Sequence, residues 1–217
     1  GGVRITSGGA PTASTLILTN GASMIQGVAA GAIRVGDFAG IQGTLIVDHS
    51  TQTHAAGNIF IPFAASGIGV LTQNGGTNSG ANIAFCNNAS GNGTYNMVGG
   101  TLETVQIRKV NTTTTSATIT FVGSTLRALA ASTTFFTGLD TAEIKSGGLI
   151  FDNNGFNVTV NQAFTGAGGL TKIGSGTLTL GAVANAYSGG LTLNEGVISL
   201  TQNNCFGTGT LTINGGT

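Results

Sequence analysis

The chain contains little charge, no tryptophan, and only two prolines and two cysteines. Seven basic residues balance seven acidic ones, and together they make up 6% of the 217 residues, whereas about a quarter of the residues in a typical soluble domain are charged. Nucleic-acid binding requires a basic face, and Arg108-Lys109 is the only adjacent basic pair in the sequence. We therefore expect no nucleic-acid partner.

Long apolar runs are also missing. The longest mostly apolar segment, 59–71, is interrupted by Pro62 and Ser66, and it is shorter than the roughly 20 residues that a membrane-spanning helix needs. We therefore predict no transmembrane segment. Because no signal peptide precedes Gly1, we interpret the chain as a processed or excised piece of something longer.

The chain is rich in glycine, with 38 residues, and 40% of it is hydrophobic. Such a hydrophobic content argues against a disordered chain. The hydrophobic residues lie in short runs that alternate with threonine and serine, a pattern typical of short β-strands. A Gly/Thr/Asn-rich low-complexity tract is the alternative interpretation.

Strand-like motifs recur in the C-terminal part of the chain. Gly-Gly-Leu-Thr at 168–171 returns at 189–192, and the alternating motif at 176–180 returns at 196–200 and again at 209–213. Alternation places the leucines on one face of each strand and the threonines on the other. Because so short a strand cannot bury its apolar face alone, a repeat of about 20 to 25 residues predicts stacked coils, that is, a solenoid.

A second repeat type occupies residues 1–101. A segment that starts at Asn82 matches an earlier one that starts at Asn58, and both match a third that starts at Ile33. A fourth copy starts at Val3 and has one residue deleted. We interpret each unit as strand, Gly-containing turn, strand and Gly-rich corner.

The corners explain the abundance of glycine and asparagine. Sharp turns require a positive φ, which glycine adopts without steric cost and asparagine tolerates next best. Five asparagines lie where corners are expected: Asn74, Asn153, Asn154, Asn203 and Asn204. Asparagines in successive coils are also expected to stack in ladders.

Residues 102–146 are less regular. We predict strands at 102–110, 117–122 and 124–129, a polar loop at 111–116, and a small excursion from the coil at 132–139. Two-strand coils are expected to return from Thr141 onward. Because no linker interrupts the chain, the sequence predicts one continuous solenoid over 1–217, divided into 1–101, 102–146 and 147–217, with roughly nine or ten coils.

The segment from Gly168 to Thr217 carries a family resemblance. Its GGLTKIGSGTLTL motif, the turn at 184–190 and the strand pair that follows resemble the autotransporter-associated β-strand repeat of bacterial passenger regions, and a looser resemblance extends back to Ala142. The resemblance implies an all-β, right-handed parallel β-helix that is exported and has no catalytic residues. The family's membrane-inserted barrel is not among these residues, so self-export is not assigned to them.

The solenoid hypothesis predicts which side chains lie inside. Leu178 is expected to face the core and Thr179 the solvent. Four phenylalanines are also expected to face inward: Phe85, Phe121, Phe151 and Phe164. Cys86 and Cys205 are far apart in the sequence and therefore several coils apart, so we predict two buried thiols and no disulfide.

The acidic residues do not form an obvious catalytic cluster. Asp140 and Glu143 are the only two that are close in sequence, and we interpret them as solvated loop residues. The others are scattered over different expected coils: Asp37, Asp48, Glu103, Asp152 and Glu195. Acid–base chemistry on a polysaccharide requires clustered carboxylates, so we predict no catalytic residues.

The two histidines do not suggest a metal site. His49 and His54 flank a short polar segment, with no cysteine or third histidine near them. Asp48-His49-Ser50 has the residue types of a catalytic triad, but triads are assembled in space rather than from consecutive residues. We therefore predict no metal and no cofactor.

Two functional hypotheses follow. The first is a non-enzymatic structural protein of the bacterial surface or extracellular matrix: a β-helical stalk, an adhesin segment or a filament subunit. Its expected partners are further coils of the same parent chain or other copies, with surface glycans or neighbouring cell surfaces as candidate targets. The alternative is a carbohydrate-binding or carbohydrate-active β-helix, although the lack of tryptophan leaves few residues for sugar stacking.

Overall fold

The computed structural model describes residues 3–5, 13–26, 32–54, 57–113, 115–181 and 184–216. Within these ranges the chain forms 22 β-strands and no helix, and every strand pairing is parallel. The predicted all-β parallel solenoid is confirmed.

The coils have three sides. Side 1 is a six-stranded sheet made of β2 (Ser14–Leu18), β5 (Gln42–Val47), β8 (Ile68–Gln73), β10 (Asn92–Met97), β12 (Ser116–Phe121) and β15 (Thr141–Ile144). Side 2 is made of β3 (Ser23–Gln26), β6 (Ser50–His54), the first part of β9 (Gly76–Phe85), the first part of β11 (Thr101–Lys109), β13 (Ser124–Ala128), β16 (Leu149–Asp152), β18 (Leu170–Ile173), β20 (Leu191–Leu193) and β22 (Leu211–Ile213).

Side 3 continues from side 2 around a corner. It is made of β1 (Val3–Ile5), β4 (Ile33–Val35), β7 (Asn58–Ile61), the ends of β9 and β11, β14 (Ser132–Thr137), β17 (Val158–Val160), β19 (Thr177–Leu180) and β21 (Val197–Leu200). Because β9 and β11 run through this corner without a break, sides 2 and 3 form one 16-stranded sheet. The two-strand unit expected for residues 1–101 was therefore wrong, since each coil there has a third strand, on side 2.

The solenoid has about seven coils in which all three sides are paired. Side 1 supplies six strands and then the single bridge between Glu143 and Thr165. This number is slightly lower than the predicted nine or ten. The difference arises because the last two described coils, which contain β19–β20 and β21–β22, pair on sides 2 and 3 but have no strand on side 1.

The repeats found in the sequence coincide with the strand register. Asn58 pairs with Asn82, and Ile33 pairs with Ile59, so the matching segments lie beside each other in successive coils as predicted. Val3 pairs with Ile33, but Thr15 pairs with Thr44, so the sequence distance between partners shortens by one within this coil. The first copy therefore contains one residue more than the second between these positions, so the predicted single-residue deletion was wrong.

The C-terminal repeats are confirmed with one correction. Leu170 pairs with Leu191, and Leu178 with Ile198, as the recurring motifs predict. However, Leu211 pairs with Leu191 on side 2, so 209–213 does not continue the 176–180 series, which lies on side 3. The two strand types have the same alternation, and their sequences alone do not distinguish them.

The region 102–146 is more regular than expected. Its three predicted strands correspond to β11, β12 and β13. The predicted excursion at 132–139 was wrong, because β14 pairs with β11 and β17 on side 3, with a register irregularity between Ser132 and Phe136. Two-strand coils begin at β17 rather than at Thr141, since β15 still belongs to side 1.

The core is a continuous column of inward side chains. Phe85, Phe121, Phe151 and Phe164 are fully buried, as predicted. Leu178 is also fully buried, whereas Thr179 is partly exposed. Close stacking leaves little room at the corners: a Cβ on Gly168 would collide with the Lys145 carbonyl, so only glycine fits there.

Candidate functional site

The two neighbouring acids are each paired with a lysine. The nearly buried Lys109 donates from Nζ to both Asp140 carboxylate oxygens, at 2.9 and 2.7 Å. Glu143 lies 2.7 Å from Lys145 Nζ. Burial by itself would raise the pKa of Asp140, but hydrogen bonds from Lys109 and from the Ala117 backbone outweigh it and hold the pKa below its usual value. A carboxyl with a lowered pKa is a poor general acid near neutral pH.

Asp48, His49 and Ser50 do not have the geometry of a triad. His49 Nδ1 lies 2.9 Å from the Asp48 carboxylate, but Ser50 Oγ donates to the Asp48 backbone carbonyl at 3.0 Å instead of to the imidazole. His49 is largely exposed. The side chain of His54 lies outside the described residues.

Two of the scattered acids are brought together across coils. Arg127, on β13, lies 3.6 Å from Glu103 of β11 and 3.3 Å from Asp152 of β16. Glu103 and Arg127 occupy the same register position, as do Arg127 and Asp152. The sequence contained the signal, since the three residues follow one another at intervals of one coil length. An arginine between two carboxylates forms a surface ion-pair ladder, which stabilises the coil stack modestly.

Lys172 has a structural role that the sequence analysis missed. It faces inward from β18, is fully buried, and donates from Nζ to the carbonyls of Ile173, Gly174 and Glu195 at 2.9, 2.5 and 3.1 Å. Burial lowers the pKa of its ammonium, and the charges of Glu195 and Asp152 oppose that shift. The side chain thus satisfies carbonyls at the corners of two successive coils.

The N-terminal half contains a buried polar network instead. Asn78 Nδ2 donates to the Tyr95 hydroxyl at 2.9 Å, and that hydroxyl donates to Gln73 Oε1 at 2.6 Å. Gln73 Nε2 then donates to the carbonyls of Gly76 and Thr101 at 3.1 and 3.0 Å. Like Lys172, Gln73 therefore satisfies backbone carbonyls of two coils from the inside.

The cysteines are free and buried. Cys86 Sγ lies 3.3 Å from the Gly91 and Ser116 carbonyls, and burial raises the pKa of its thiol. Cys205 is also fully buried and lies near the C-terminal end of the described core, between β21 and β22. A buried thiol with a raised pKa is a weak nucleophile.

The described part of the chain contains neither a metal-binding cluster nor a membrane-spanning helix. No three histidine, cysteine or acidic side chains there lie close enough together to hold a metal ion. In the same ranges, no helix has the length and hydropathy needed to cross a membrane.

The stacked coils define a β-solenoid repeat protein, and one family model matches part of it. Residues 170–200 match the passenger-associated-transport-repeat. No curated protein and no solved structure matches the chain. The family match and the parallel solenoid together fit an autotransporter passenger β-helix repeat protein, so the resemblance seen in the sequence is confirmed. Proteins of this repeat family and fold are typically structural.

Proposed function

We propose that the chain is a structural segment of an exported β-helical surface protein and acts as a stalk, an adhesin segment or a filament subunit. The observation that carries the proposal is the exposure of apolar side chains on β22, the last described strand of side 2. Leu191 and Leu193 are almost fully buried, whereas their register partners in the next coil, Leu211 and Ile213, are 41% and 61% exposed.

The exposed edge suits one more parallel strand. β22 pairs with β20 on one side, and within the described residues nothing pairs with its other side. A further coil would bury Leu211 and Ile213 at about 25 cal/mol for each Å² of apolar surface removed from water. Either another coil of the parent chain or a second copy would supply that strand.

The outer surface also supports a structural role. Asp140, Glu143, Glu103 and Asp152 each lie within 4 Å of a lysine or arginine. Carboxylates paired in this way are suited to holding coils together, whereas acid–base catalysis needs a proton donor and an acceptor that face a substrate.

Sedimentation velocity and negative-stain microscopy over a range of concentrations test the open edge. We expect the 217-residue chain to associate as its concentration rises. Ile213→Asp places a charge in the edge and should reduce association, whereas Thr212→Asp, on the opposite face of the same strand, should have a much smaller effect. A monodisperse monomer at high concentration would contradict the open-edge proposal.

Surface location is tested separately in cells that produce the parent protein. Protease treatment of intact cells, followed by mass spectrometry, should release peptides of this chain together with those of known surface proteins. Release only after lysis would overturn the proposed location and leave the structural role to be judged by the association experiment.

One observation favours the carbohydrate-binding alternative. Both tyrosines are buried, but Phe60 and Phe63 form an edge-to-face pair 5.1 Å apart, and Arg34 lies 3.8 Å from the Phe63 ring centre. Phe38, nearby in the same corner, is exposed. Aromatic faces beside an arginine are the kind of surface that binds sugars.

A glycan array probed with the wild-type chain and with Phe63→Ala tests this alternative. Binding that is lost in Phe63→Ala but retained in Phe156→Ala, a partly buried phenylalanine in a distant corner, would support it. Release of reducing sugar from any polysaccharide would overturn the non-enzymatic proposal.

A further inference from the structure

One column of inward positions on side 2 changes character along the solenoid. In register order it begins Met24, Gln52, Asn78, Leu102, Leu126. Leucine therefore fits at this position in two coils, but two adjacent coils carry amides there. Gln52 and Asn78 are both fully buried, so the exchange of leucine for an amide needs a polar partner to compensate for lost hydration.

The polar network satisfies only some of the hydrogen-bond donors and acceptors of these two amides. The chain from Asn78 through Tyr95 to Gln73 directs its protons away from Gln52 toward the Gly76 and Thr101 carbonyls. Asn78 Oδ1, Gln52 Oε1 and Gln52 Nε2 have no hydrogen-bond partner within the described residues. Two acceptors and one donor are therefore left on neighbouring coils, facing the same interior.

We propose that Gln52 and Asn78 form an internal binding site for ordered water. The partner must donate to the two carboxamide oxygens and accept from the Gln52 amide. This partner must both donate and accept, which a metal cation cannot do, and an anion would bring an uncompensated charge into the core. Water does both, and a neutral ligand suits this stretch of the column, which carries no charged side chain from Met24 to Leu126.

The water would complete a polar connection through three coils. Gln52 lies on β6, Asn78 on β9 and Tyr95 on β10, and Gln73 delivers the last hydrogen bond to Thr101 of β11. Buried waters typically make about three hydrogen bonds to groups that would otherwise be unsatisfied. The site thus joins three successive coils through polar contacts inside the core.

Solution NMR of the folded 217-residue chain tests the site. We expect nuclear Overhauser cross-peaks between long-lived water and the side-chain amide protons of Gln52. Wild type should also show water cross-peaks to the side-chain amide protons of Asn78, and these should disappear in Gln52→Leu and in Gln52→Met, two variants chosen because leucine and methionine already occupy other positions of the column. Thr51→Leu makes a similar change on the outward face and should leave the water cross-peaks to the Gln52 amide unchanged.

A high-resolution crystal structure of the wild-type chain provides a second measurement that needs no variant. Water density within hydrogen-bond distance of Gln52 Oε1 or Nε2 and of Asn78 Oδ1 would support the proposal. A direct hydrogen bond between the two carboxamides, with no water between them, would overturn it. So would the lack of any water cross-peak to Gln52 in the folded protein.

Discussion

From β1 to β16 a strand encloses each side of the coil, whereas from β17 onward loops close side 1. The later coils are also shorter in sequence, as the one-coil step from Gln52 to Asn78 and the one-coil step from Leu191 to Leu211 illustrate. The shorter coils have too few residues for a third strand. Their side-1 segments nevertheless pair in succession, since Ala186 donates to Phe164 and Thr208 to Tyr187.

Aromatic residues replace the missing strand. Phe164 and Tyr187 are fully buried, and Phe164 contacts Phe121 and Phe136 edge-to-face, with ring centres 6.2 and 5.4 Å apart. Large side chains from the side-1 loops therefore fill the core in the shorter coils, as Tyr95 and Phe121 do from the side-1 strands of the longer coils. The comparison indicates that side 1 can lose its strand as long as its core volume is filled.

The largest expected effect tests whether the shorter coils share the continuous core. Leu178→Asp should destabilise the protein by about 5 kcal/mol, because it removes a buried leucine and places a carboxylate in its position. Thr179→Asp, the adjacent outward residue, should cost far less. Chemical denaturation of both variants measures the difference, and equal losses would show that the inward assignment of β19 is incorrect.

The second prediction concerns the aromatic replacement of side 1. Phe164→Ala should cost about 3 to 4 kcal/mol by leaving a cavity. Hydrogen exchange should show the loss concentrated in the coils after β16, with β5 and β8 retaining their protection. Uniform loss of protection would mean that the two halves unfold as one unit. The longer and the shorter coils would then not differ in how they are stabilised.

The third prediction compares the polar interiors. Lys172→Met keeps a long apolar stem but leaves three corner carbonyls without their donor, so we expect a loss of about 2 kcal/mol. Urea denaturation provides the measurement. Lys145→Met, which changes an exposed lysine, is the matched control and should stay within about 0.5 kcal/mol of wild type.

The fourth prediction uses pH, with one tyrosine in each half. Burial raises the pKa of Tyr95 and of Tyr187 well above the ordinary value, which is about 10. Above that pH the unfolded chain loses protons that the folded chain keeps, so stability falls as pH rises, by about 1.4 kcal/mol per pH unit for each tyrosine. The variants Tyr95→Phe and Tyr187→Phe each keep one of the two tyrosines. Denaturation at mildly to strongly alkaline pH should therefore show about half of the tyrosine-dependent slope in each of them.

The smallest expected effect separates the same two tyrosines at neutral pH. Tyr95→Phe removes the hydroxyl that joins Asn78 to Gln73, and it should cost about 1 kcal/mol. Tyr187→Phe removes a hydroxyl that has no partner in the described part of the chain, and it should be neutral or slightly stabilising. The reverse order would mean that the polar network does not distinguish the N-terminal half.

The sequence was most informative where hydrophobic alternation and glycine pairs recur together. Leu170 and Leu191 could be placed in register, and Leu178 inside, because both signals repeat with the coil length. Side 2 of the longer coils was missed for a physical reason. β6 reads Ser-Thr-Gln-Thr-His, and without an apolar residue it gives no inward face, even though Gln52 is buried.

Other features depended on contacts that sequence patterns do not encode. In the sequence, a lysine that faces the core cannot be distinguished from one that faces the solvent. The inward position of Lys172 became clear only from the structure, which places the Glu195 carbonyl of the next coil beside it. Phe135-Phe136 breaks period-two alternation, so β14 resembled a loop, although both rings are buried. Two adjacent residues are buried there beside a register irregularity, and such irregularities re-aim side chains.

The strand register has a further consequence for how the chain reaches this structure. Every rung joins residues that are only one coil apart in the sequence, from Val3 with Ile33 at one end to Leu191 with Leu211 at the other, so no step of folding has to bring distant parts of the chain together. Each completed coil presents an open edge on which the next segment is laid down, and growth proceeds one coil at a time from any formed nucleus. A chain that emerges end first, through a ribosome or a membrane pore, would therefore fold in the order of its emergence, with each coil acting as the template for the next.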